Sequence, residues 1–355
     1  MRQQAGSVGR AIQQATIIVL ISLLLGEAVV RIFHHFKPLF IFYDGSYNRF
    51  RGKPFADDFS FKLNSQGFKD TEFSTQKDPR HYRILALGDS FAFGVVPYQD
   101  NYLTLIESAG PPVNVEVFNM GIPDIGPEEY KSLLMREGLA VHPDLVLVSF
   151  FVGNDFNDSL AAKRRQWYTY SYLATLAHYL YAVQPKFEGR IILDRLDYCD
   201  DCPSLEASAY LQLEKDRSLL YWTGYPKFPR LLDGAVEYLE QIRDICRQHA
   251  AELVVVIIPD ELQVNPALQR GLSSQRPAGF EPGAWDTTRP NAHLSARLQA
   301  SGIDVLDLYP YFVGQNEPLY RPRDSHWNIA GNRLAARIIQ KHLADYVERH
   351  AAGLR

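Results

Sequence analysis

The sequence predicts an α/β protein whose parallel five-stranded sheet is covered by helices on both faces. From residue 82 onward, short and nearly continuous apolar runs alternate with helical patterns. Such runs are typical of parallel strands that are buried on both faces. The length of 355 residues and the hydrophobic content of 46% allow a large core, in one decorated domain or in two. The predicted strands are residues 82–87, 113–119, 145–151, 253–258 and 305–308.

Amphipathic stretches separate these strands and predict the helices that cover the sheet. One stretch begins with Pro127, and proline is enriched in the first turn of helices. The predicted helices are residues 101–108, 127–139, 229–249, 291–300 and 328–348. Because a helix follows each strand, all five strands are expected to run in the same direction.

An apolar segment near the N-terminus predicts a membrane anchor within residues 1–33. Residues 15–26 are uncharged and almost wholly apolar. Residues 11–33 reach the roughly 20 residues of a membrane span only if Glu27 is tolerated. Glu27 and Arg31 have the spacing of a helical ion pair. A cleaved secretory signal and a buried helix of a soluble domain are the alternatives, and the lack of a small-x-small cleavage site after the apolar run favours the anchor.

Two regions interrupt the regular pattern of the main domain, which is expected to span residues 81–350. Residues 34–80 are rich in Tyr and Phe and predict a connector packed on the edge of that domain. Residues 156–228 form an insert between the third and fourth strands, and they are dense in Trp and Tyr. A small satellite core and a lid or substrate platform are the two interpretations of this insert.

The three cysteines suggest one short disulfide. Cys199 and Cys202 form a C-x-x-C pattern in a loop that contains Asp and Pro, whereas Cys246 lies on a predicted helix. Two thiols are too few for a structural zinc site. A thioredoxin-like motif would begin a helix after a strand, and this one does not. A Cys199–Cys202 disulfide is therefore the first expectation and free thiols are the second.

The charge pattern excludes one class of partner. The chain has 37 Lys and Arg against 41 Asp and Glu, for a formal net charge of −4, and it has no long basic run. Nucleic acid is therefore not an expected partner.

Reactive side chains follow the predicted strands where these strands end. Ser90 follows the first strand, Gly121 the second and Asn154 the third, and Asp324 and His326 lie in the loop after the fifth. The carboxyl ends of parallel strands meet at one edge of the sheet, where ligands bind in such folds. Each residue alone is also ordinary turn chemistry. Their convergence on one edge predicts an active site.

These residue types suit nucleophilic catalysis. A serine hydroxyl needs a base to remove its proton and a third group to orient that base. His326 is the best base, because the other histidines precede strands or lie on helices, in the insert or after the anchor. Asp324 is the expected orienting acid, and Asp260 is its rival. We interpret Asp89 as a residue that fixes the turn before Ser90 rather than as a proton carrier.

An oxyanion forms when such a serine attacks a carbonyl, and preorganised donors stabilise it. The backbone amides of Ser90 and Gly121 and the side chain of Asn154 are the predicted donors. An α/β-hydrolase is disfavoured because the second glycine of G-x-S-x-G is absent. A phosphate-binding loop is disfavoured because no G-x-G-x-x-G or GK[ST] pattern follows the first strand.

Four short blocks resemble the consensus blocks of the SGNH, or GDSL-like, hydrolases. They are Gly88-Asp89-Ser90, Gly121, Gly153-Asn154-Asp155 and the pair Asp324 and His326. This family comprises serine esterases, lipases and acyltransferases on a flavodoxin-like three-layer fold. The resemblance covers residues 82–345 and implies Ser90 as nucleophile, His326 as base and Asp324 as acid. It implies Ser90, Gly121 and Asn154 as the oxyanion hole, and it implies no metal or organic cofactor.

The last block departs from the usual family pattern. The family has D-x-x-H, whereas this chain has Asp324-Ser325-His326 followed by Trp327. The D-x-H-W form resembles alginate-type O-acetyltransferases, although their catalytic serine follows the pair in the chain. This departure gives weight to acyl transfer.

The predicted function is that of an anchored serine esterase acting on an O-acyl ester with a short acyl group such as acetyl. Its substrate would be an ester-bearing small molecule, lipid or glycan, and residues 11–33 would hold it in the cytoplasmic membrane as a single-pass protein. The catalytic domain is expected on the extracytoplasmic side. The alternatives are an O-acyltransferase that modifies a cell-surface polysaccharide and a catalytically retired binding or assembly protein.

Overall fold

The computed structural model describes residues 2–36, 54–55, 57–108, 114–160, 167–178, 180–181, 198–274 and 284–353. The chain divides into two compact units. One comprises Met1–Asp44 and Lys163–Glu188, and the other comprises Gly45–Ala162 and Gly189–Arg355. The first part of the predicted connector, up to residue 53, and much of the predicted insert between residues 161 and 197 lie outside the described residues.

The larger unit is built on a parallel five-stranded sheet, as the sequence predicts. Its strands have the order β4-β3-β5-β6-β7, and every neighbouring pair is parallel. Numbered within this sheet alone, the order is 2-1-3-4-5, which is the flavodoxin-like order. The strands of the unit are β1 (Asp57–Asp58), β2 (Phe61–Lys62), β3 (His81–Gly88), β4 (Asn114–Asn119), β5 (Leu145–Phe151), β6 (Glu252–Ile258) and β7 (Asp304–Asp307). The strands β1 and β2 form a separate antiparallel pair.

Helices cover both faces of the sheet and complete a three-layer α/β/α arrangement. In β3, Leu85 and Leu87 face one core cluster, whereas Ile84 and Ala86 face the other. This alternation is the two-residue period of a strand that is buried on both sides. The helices of the unit are α2 (Ser90–Phe93), α3 (Tyr102–Glu107), α4 (Pro127–Arg136), α5 (Asp155–Asp158), α7 (Ala207–Arg217), α8 (Phe228–Gln248), α9 (Glu261–Val264), α10 (Pro266–Ser273), α11 (Arg289–Ala300), α12 (Tyr309–Phe312) and α13 (Ile329–Gly353).

Each face carries its own set of long helices. Helices α4, α8 and α11 contribute Leu133, Leu239 and Leu294 to one core, while α3 and α13 contribute Leu103 and Ile339 to the other. Their apolar residues recur at helical spacing, so each helix buries one stripe and leaves the opposite face to solvent. The two helical layers therefore enclose the sheet between two apolar cores.

The boundaries of the elements follow the predictions with one informative difference. Helix α4 ends at Arg136 rather than at residue 139, and a short 3₁₀ turn, Gly138–Val141, continues the chain. A β-carbon on Gly138 would lie 2.5 Å from the Leu85 side chain. The chain therefore passes close to β3, and a side chain at this position would have to displace the end of Leu85.

The smaller unit contains the N-terminal helix and a short part of the predicted insert. Helix α1 spans Arg2–Phe36, and it is followed in this unit by a 3₁₀ turn, Trp167–Tyr170, and by helix α6, Tyr172–His178. Within the described residues, Gly9–Phe33 is the one helical stretch long and apolar enough to cross a membrane. Signal sequences near an N-terminus share these properties, so the stretch is a weak sign of anchoring. The expected ion pair is present, with Arg31 Nε 2.7 Å from Glu27 Oε1.

Candidate active site

The serine of the first block stands at the start of a helix, directly after a buried strand. Strand β3 ends at Gly88, and Asp89 caps α2 by accepting a 2.9 Å hydrogen bond from the Phe91 amide. This contact confirms the interpretation of Asp89 as the residue that fixes the turn. A β-carbon on Gly88 would lie 2.8 Å from that of Ala92, so glycine permits the sharp bend. Ser90 is thus held by backbone structure on both sides.

Three side chains predicted to act together form a continuous hydrogen-bonded series. His326 Nε2 lies 2.8 Å from Ser90 Oγ, and His326 Nδ1 lies 2.6 Å from Asp324 Oδ1. A carboxylate can only accept, so Nδ1 carries the proton and Nε2 is left to accept from the serine hydroxyl. The arrangement has the geometry of a nucleophile, a base and an orienting acid.

The carboxylate of Asp324 has two further partners. Arg321 places a guanidinium nitrogen 2.7 Å from Asp324 Oδ2, and the Ser204 hydroxyl donates to the same oxygen. Burial alone would raise the pKa of Asp324, but the hydrogen bond and charge of His326 and the contacts with Arg321 and Ser204 lower it to about 2. Asp324 is therefore an anion at any physiological pH.

Trp327, the residue after the base, anchors the catalytic loop in the core. Its ring is 2% exposed and lies 5.0 Å from the ring of Phe91 and 5.1 Å from that of Phe312, centroid to centroid. Phe91 directly follows the nucleophile, and its ring also lies 5.2 Å from that of His326. The tryptophan of D-x-H-W therefore joins the loop of the base to the helix of the nucleophile.

The loop itself has an unusual backbone. Arg323 and Ser325 are non-glycine residues with φ values of 49° and 71°. This left-handed region is sparsely populated by such residues, and local packing must hold them in it. Only one residue separates Asp324 from His326, one fewer than in the family pattern. This tight turn brings the two side chains into contact despite the shorter spacing.

The predicted oxyanion donors lie at the same edge of the sheet but have protein partners. The Gly121 amide donates to Asn119 Oδ1 at 2.9 Å, and Asn154 Nδ2 donates to Asp89 Oδ2 at 3.1 Å. The Ser90 amide makes no hydrogen bond within the described part of the chain. The assignment of Gly121 and Asn154 as oxyanion donors stays a prediction.

Steric constraints and burial shape the surroundings of these donors. A β-carbon on Gly121 would lie 2.2 Å from the Phe93 amide nitrogen, so no other residue fits there. Burial raises the pKa of Asp89 and, together with the charges of Asp89 and Asp158, raises that of Asp155 well above its usual range. Asp155 is a structural residue, because it accepts hydrogen bonds from the Tyr130 hydroxyl and the Phe151 amide, both at 3.0 Å.

The rival acid, Asp260, has a different environment. It is fully buried and has its charge partner in Arg217, 3.9 Å away, which also contacts Glu214 at 3.0 Å. The His326 Nδ1 contact is made by Asp324 instead. The structure therefore brings Asp324 rather than Asp260 to the imidazole.

Sequence reasoning missed the residues that support the acid from the predicted insert. The loop that contains the Cys199–Cys202 disulfide packs on the catalytic loop, with the Leu205 amide donating to Arg323 O at 3.2 Å. Arg321 donates to Cys199 O at 3.4 Å. Ser204 is 120 residues from Asp324, and no sequence pattern links the two. Arg321 lies three residues before Asp324, so its proximity could have been noticed. No cluster of His, Cys, Asp and Glu in the described residues is suited to a metal ion.

Part of this chain is similar to the SGNH hydrolase-like proteins. Residues 229–353 match a family model described as an SGNH hydrolase-like domain, acetyltransferase AlgX. The matched region contains Asp324 and His326 but not Ser90. The resemblance stated from the sequence is thereby confirmed.

Solved structures with low sequence identity are similar to this chain over about three quarters of its length. An acetyl xylan esterase, AlAXEase, is 14% identical, covers 74% of this chain and 99% of its own, and has a TM-score of 0.42. A lipase/acylhydrolase from Enterococcus faecalis is 13% identical, with coverages of 74% and 95% and a TM-score of 0.40. A catalytic mutant of an acetylxylan esterase from Geobacillus stearothermophilus is 12% identical, with coverages of 73% and 93% and a TM-score of 0.39. No curated protein sequence matches this chain significantly.

Proposed function

We propose that this protein is a membrane-anchored serine esterase that cleaves an O-acyl ester, with acetyl as the acyl group. The single observation that carries the proposal is the series Ser90–His326–Asp324, with contacts of 2.8 and 2.6 Å. A site that had lost catalytic activity would have no physical reason to keep a nucleophile, a base and an ionised acid within hydrogen-bonding distance of one another.

The mechanism follows from this geometry. His326 Nε2 takes the proton of Ser90 Oγ as the oxygen attacks the ester carbonyl carbon. The tetrahedral intermediate collapses, the alcohol leaves with the proton from His326, and the acyl group stays on Ser90. A water molecule, deprotonated by the same imidazole, then attacks the acyl-enzyme. The bond between the acyl carbon and Ser90 Oγ breaks, His326 returns the proton to Oγ, and the carboxylic acid is released. Asp324 holds the imidazole in one tautomer and stabilises its charged form.

The oxyanion would be held by the amides of Ser90 and Gly121 and by Asn154 Nδ2. The last two now donate to Asn119 and Asp89, so they would have to exchange these partners for the developing oxyanion. Burial raises the pKa of Asp89, the carboxyl that now accepts the Asn154 hydrogen bond.

Acyl transfer is the second candidate, and two observations favour it. The D-x-H-W block and the match of residues 229–353 both point to proteins of the acetyltransferase type. Hydrolysis and transfer share the acyl-enzyme and differ in whether water or a bound hydroxyl attacks it. The acceptor proposed here is a sugar hydroxyl of a cell-surface polysaccharide.

The proposed location is the cytoplasmic membrane, with α1 as a single-pass anchor and the catalytic domain on the extracytoplasmic side. The length of Gly9–Phe33 and the Cys199–Cys202 disulfide support this placement, because disulfides persist in oxidising compartments. Deletion of residues 11–33 should convert the protein from carbonate-resistant to carbonate-extractable. A periplasmic reporter fused at the C-terminus should be active, and activity of a cytoplasmic reporter there would reverse the topology.

Labelling by a fluorophosphonate probe tests the activity directly. Wild-type protein should be labelled, and Ser90→Ala should lose the label while keeping its circular dichroism spectrum. Ser108→Ala, which removes an exposed serine at the end of α3, is the matched control and should label normally. Absence of labelling in the folded wild type would support the retired binding protein instead.

The partition of a labelled acetyl donor separates the two candidate activities. Free acetate as the main product in the presence of an added oligosaccharide supports the esterase. Accumulation of acetyl-oligosaccharide with little free acetate supports the transferase, and Ser90→Ala should abolish either product.

A further inference from the structure

Helix α1 contains two neighbouring residues, Gly26 and Glu27, that add no apolar side chain to a membrane span. Gly26 costs about 1 kcal/mol relative to alanine inside a helix. Glu27 carries a charge that costs about 3 kcal/mol near the centre of a span. Both residues contact a segment of the predicted insert, which we define as residues 167–178 and 180–181 and call the interface segment.

The carboxylate of Glu27 caps the helix of the interface segment. It accepts hydrogen bonds from the Ser171 hydroxyl at 2.7 Å and from the amides of Tyr172 and Leu173 at 3.0 and 2.9 Å. These amides belong to the first turn of α6, where backbone donors have no partner inside the helix. With Arg31 as a fourth partner, the charge of Glu27 is well compensated.

Gly26 lets the two helices approach each other closely. A β-carbon at this position would lie 3.0 Å from Leu173 Cδ2. Small residues have this role where helices pack within membranes. Arg31 adds a contact on the same side, because its guanidinium carbon lies 4.4 Å from the centroid of the Tyr172 ring.

The position of this contact along α1 corresponds to the edge of a bilayer. The 25 residues of Gly9–Phe33 measure about 37 Å at 1.5 Å per residue, compared with a hydrocarbon core of about 30 Å. Glu27 lies six residues before Phe33, about 9 Å from that end of the stretch. The interface segment therefore meets α1 near the boundary between acyl chains and headgroups.

The exposed side chains of the interface segment suit that boundary. Trp167 is 79% exposed, Tyr170 64% and Tyr181 85%, with Leu180 beside them at 48%. Rings with an apolar body and a polar tip are enriched where the membrane meets water. We propose that the interface segment is a second membrane-contacting element, held against α1 by Gly26 and Glu27, and that its partner is the lipid headgroup boundary. This inference rests on the proposed membrane anchor.

Tryptophan quenching in full-length protein reconstituted into phosphatidylcholine vesicles tests the inference. Trp222 and Trp327 are buried, and the difference between wild type and Trp167→Phe isolates the emission of Trp167. Lipids brominated near the headgroup should quench this emission, and aqueous acrylamide should quench it several-fold less than it quenches free tryptophan.

Two substitutions should release the segment and leave the anchor in place. Gly26→Leu collides with Leu173, and Glu27→Leu removes the cap, while both make α1 more apolar. Each should restore acrylamide quenching of Trp167 and abolish quenching by brominated lipid. Gly9→Leu is the matched control, because a β-carbon on Gly9 meets nothing within 4 Å, and it should behave as wild type.

The outcomes separate this inference from the proposed anchor. If alkaline carbonate extracts the full-length wild type from vesicles, the anchor and the inference are both overturned. If the protein resists extraction but Trp167 is open to acrylamide and unaffected by brominated lipid, only the inference is overturned. Equal behaviour of Gly26→Leu, Glu27→Leu and Gly9→Leu would also overturn it.

Discussion

The two sides of the candidate active site are held in different ways. Ser90, the proposed nucleophile, stands between a buried strand and a capped helix, so backbone hydrogen bonds fix it. The proposed base and acid lie in an irregular loop, which is fixed by the buried ring of Trp327 and by the ion pair of Asp324 with Arg321. The first side depends on residues that are close in sequence, whereas the second also depends on distant ones, such as Ser204, which donates to Asp324 from 120 residues away. We expect the second side to be the more sensitive to substitution and to solution conditions.

Among the residues that support Ser90 and His326, the acid should have the largest effect when it is replaced. Asp324→Asn should reduce kcat by about 10⁴-fold, because the imidazole would then favour the wrong tautomer. Ester turnover measured beside thermal unfolding checks this. The variant should also be less stable, because Arg321 is left buried without its partner. Turnover within tenfold of wild type would mean that Asp324 is not the orienting group.

The oxyanion donor belongs to the more rigid side and should have the next largest effect. Asn154→Ala should lower kcat by about 10²–10³-fold, which is the usual result of removing one such donor. Asn157→Ala, an exposed asparagine three residues later on α5, is the matched control and should be neutral. A loss of less than about threefold in Asn154→Ala would identify Asn154 as a turn residue only.

Reduction of the disulfide should affect only the irregular side. Cys199 and Ser204 belong to the loop that contacts Arg321 and Asp324. Opening the disulfide should therefore weaken the contacts that hold the Asp324 carboxylate in position. Displacements on the scale of an ångström can cost up to about 10²-fold in rate. We expect a dithiol reductant to lower kcat while fluorophosphonate still labels Ser90 slowly.

Two variants make the reduction experiment specific. The double substitution of Cys199 and Cys202 by serine should reproduce the low kcat and remove the effect of reductant. Cys246→Ser, which changes the buried thiol of α8, should leave the response to reductant intact. Full activity in the double variant would show that the disulfide loop does not position Asp324.

The smallest effect concerns stability in acid. The pKa of Asp324 is about 2 when folded, whereas an unfolded aspartate has a pKa of about 3.9. The contribution of about 2–3 kcal/mol is therefore present above pH 4 and is lost as the pH falls toward 2. Denaturant unfolding at pH 4 and pH 2 should show a smaller decline in Asp324→Asn than in wild type. Equal declines would contradict the ionic contact with Arg321.

The sheet could be predicted from the sequence because parallel strands and their helices leave strong local patterns. The strand predicted at residues 145–151 matches β5 residue for residue, since every one of its side chains is buried. The polar residues at strand ends were also visible, because topology brings these ends together whatever the loops do. Ser90, Asp324 and His326 could therefore be placed at one site before any distance was known.

The support of the acid could not be predicted, because it comes from tertiary contacts without a sequence period. Ser204 and the disulfide loop reach Asp324 from an insert whose residues show no link to the catalytic loop. The left-handed backbone conformations of Arg323 and Ser325 could not be predicted from the sequence either, because neither residue type favours them. The hydrogen bonds that the Gly121 amide and Asn154 Nδ2 donate to Asn119 and Asp89 could not be predicted either, because they depend on side-chain orientation.

The hydrogen bond between Ser90 and His326 joins residues that are 236 positions apart, and this separation determines the order in which the two residues are synthesised. A ribosome finishes the strand before Ser90 long before it adds the loop that contains His326. An incomplete chain that ends before residue 320 would carry the hydroxyl and the donors at Gly121 and Asn154 but no base. Such a fragment would not cleave esters by the proposed mechanism, even if its first strands had paired. On the proposed mechanism, the site is therefore assembled only after the loop that contains His326 has been synthesised and has reached the edge of the sheet beside Ser90.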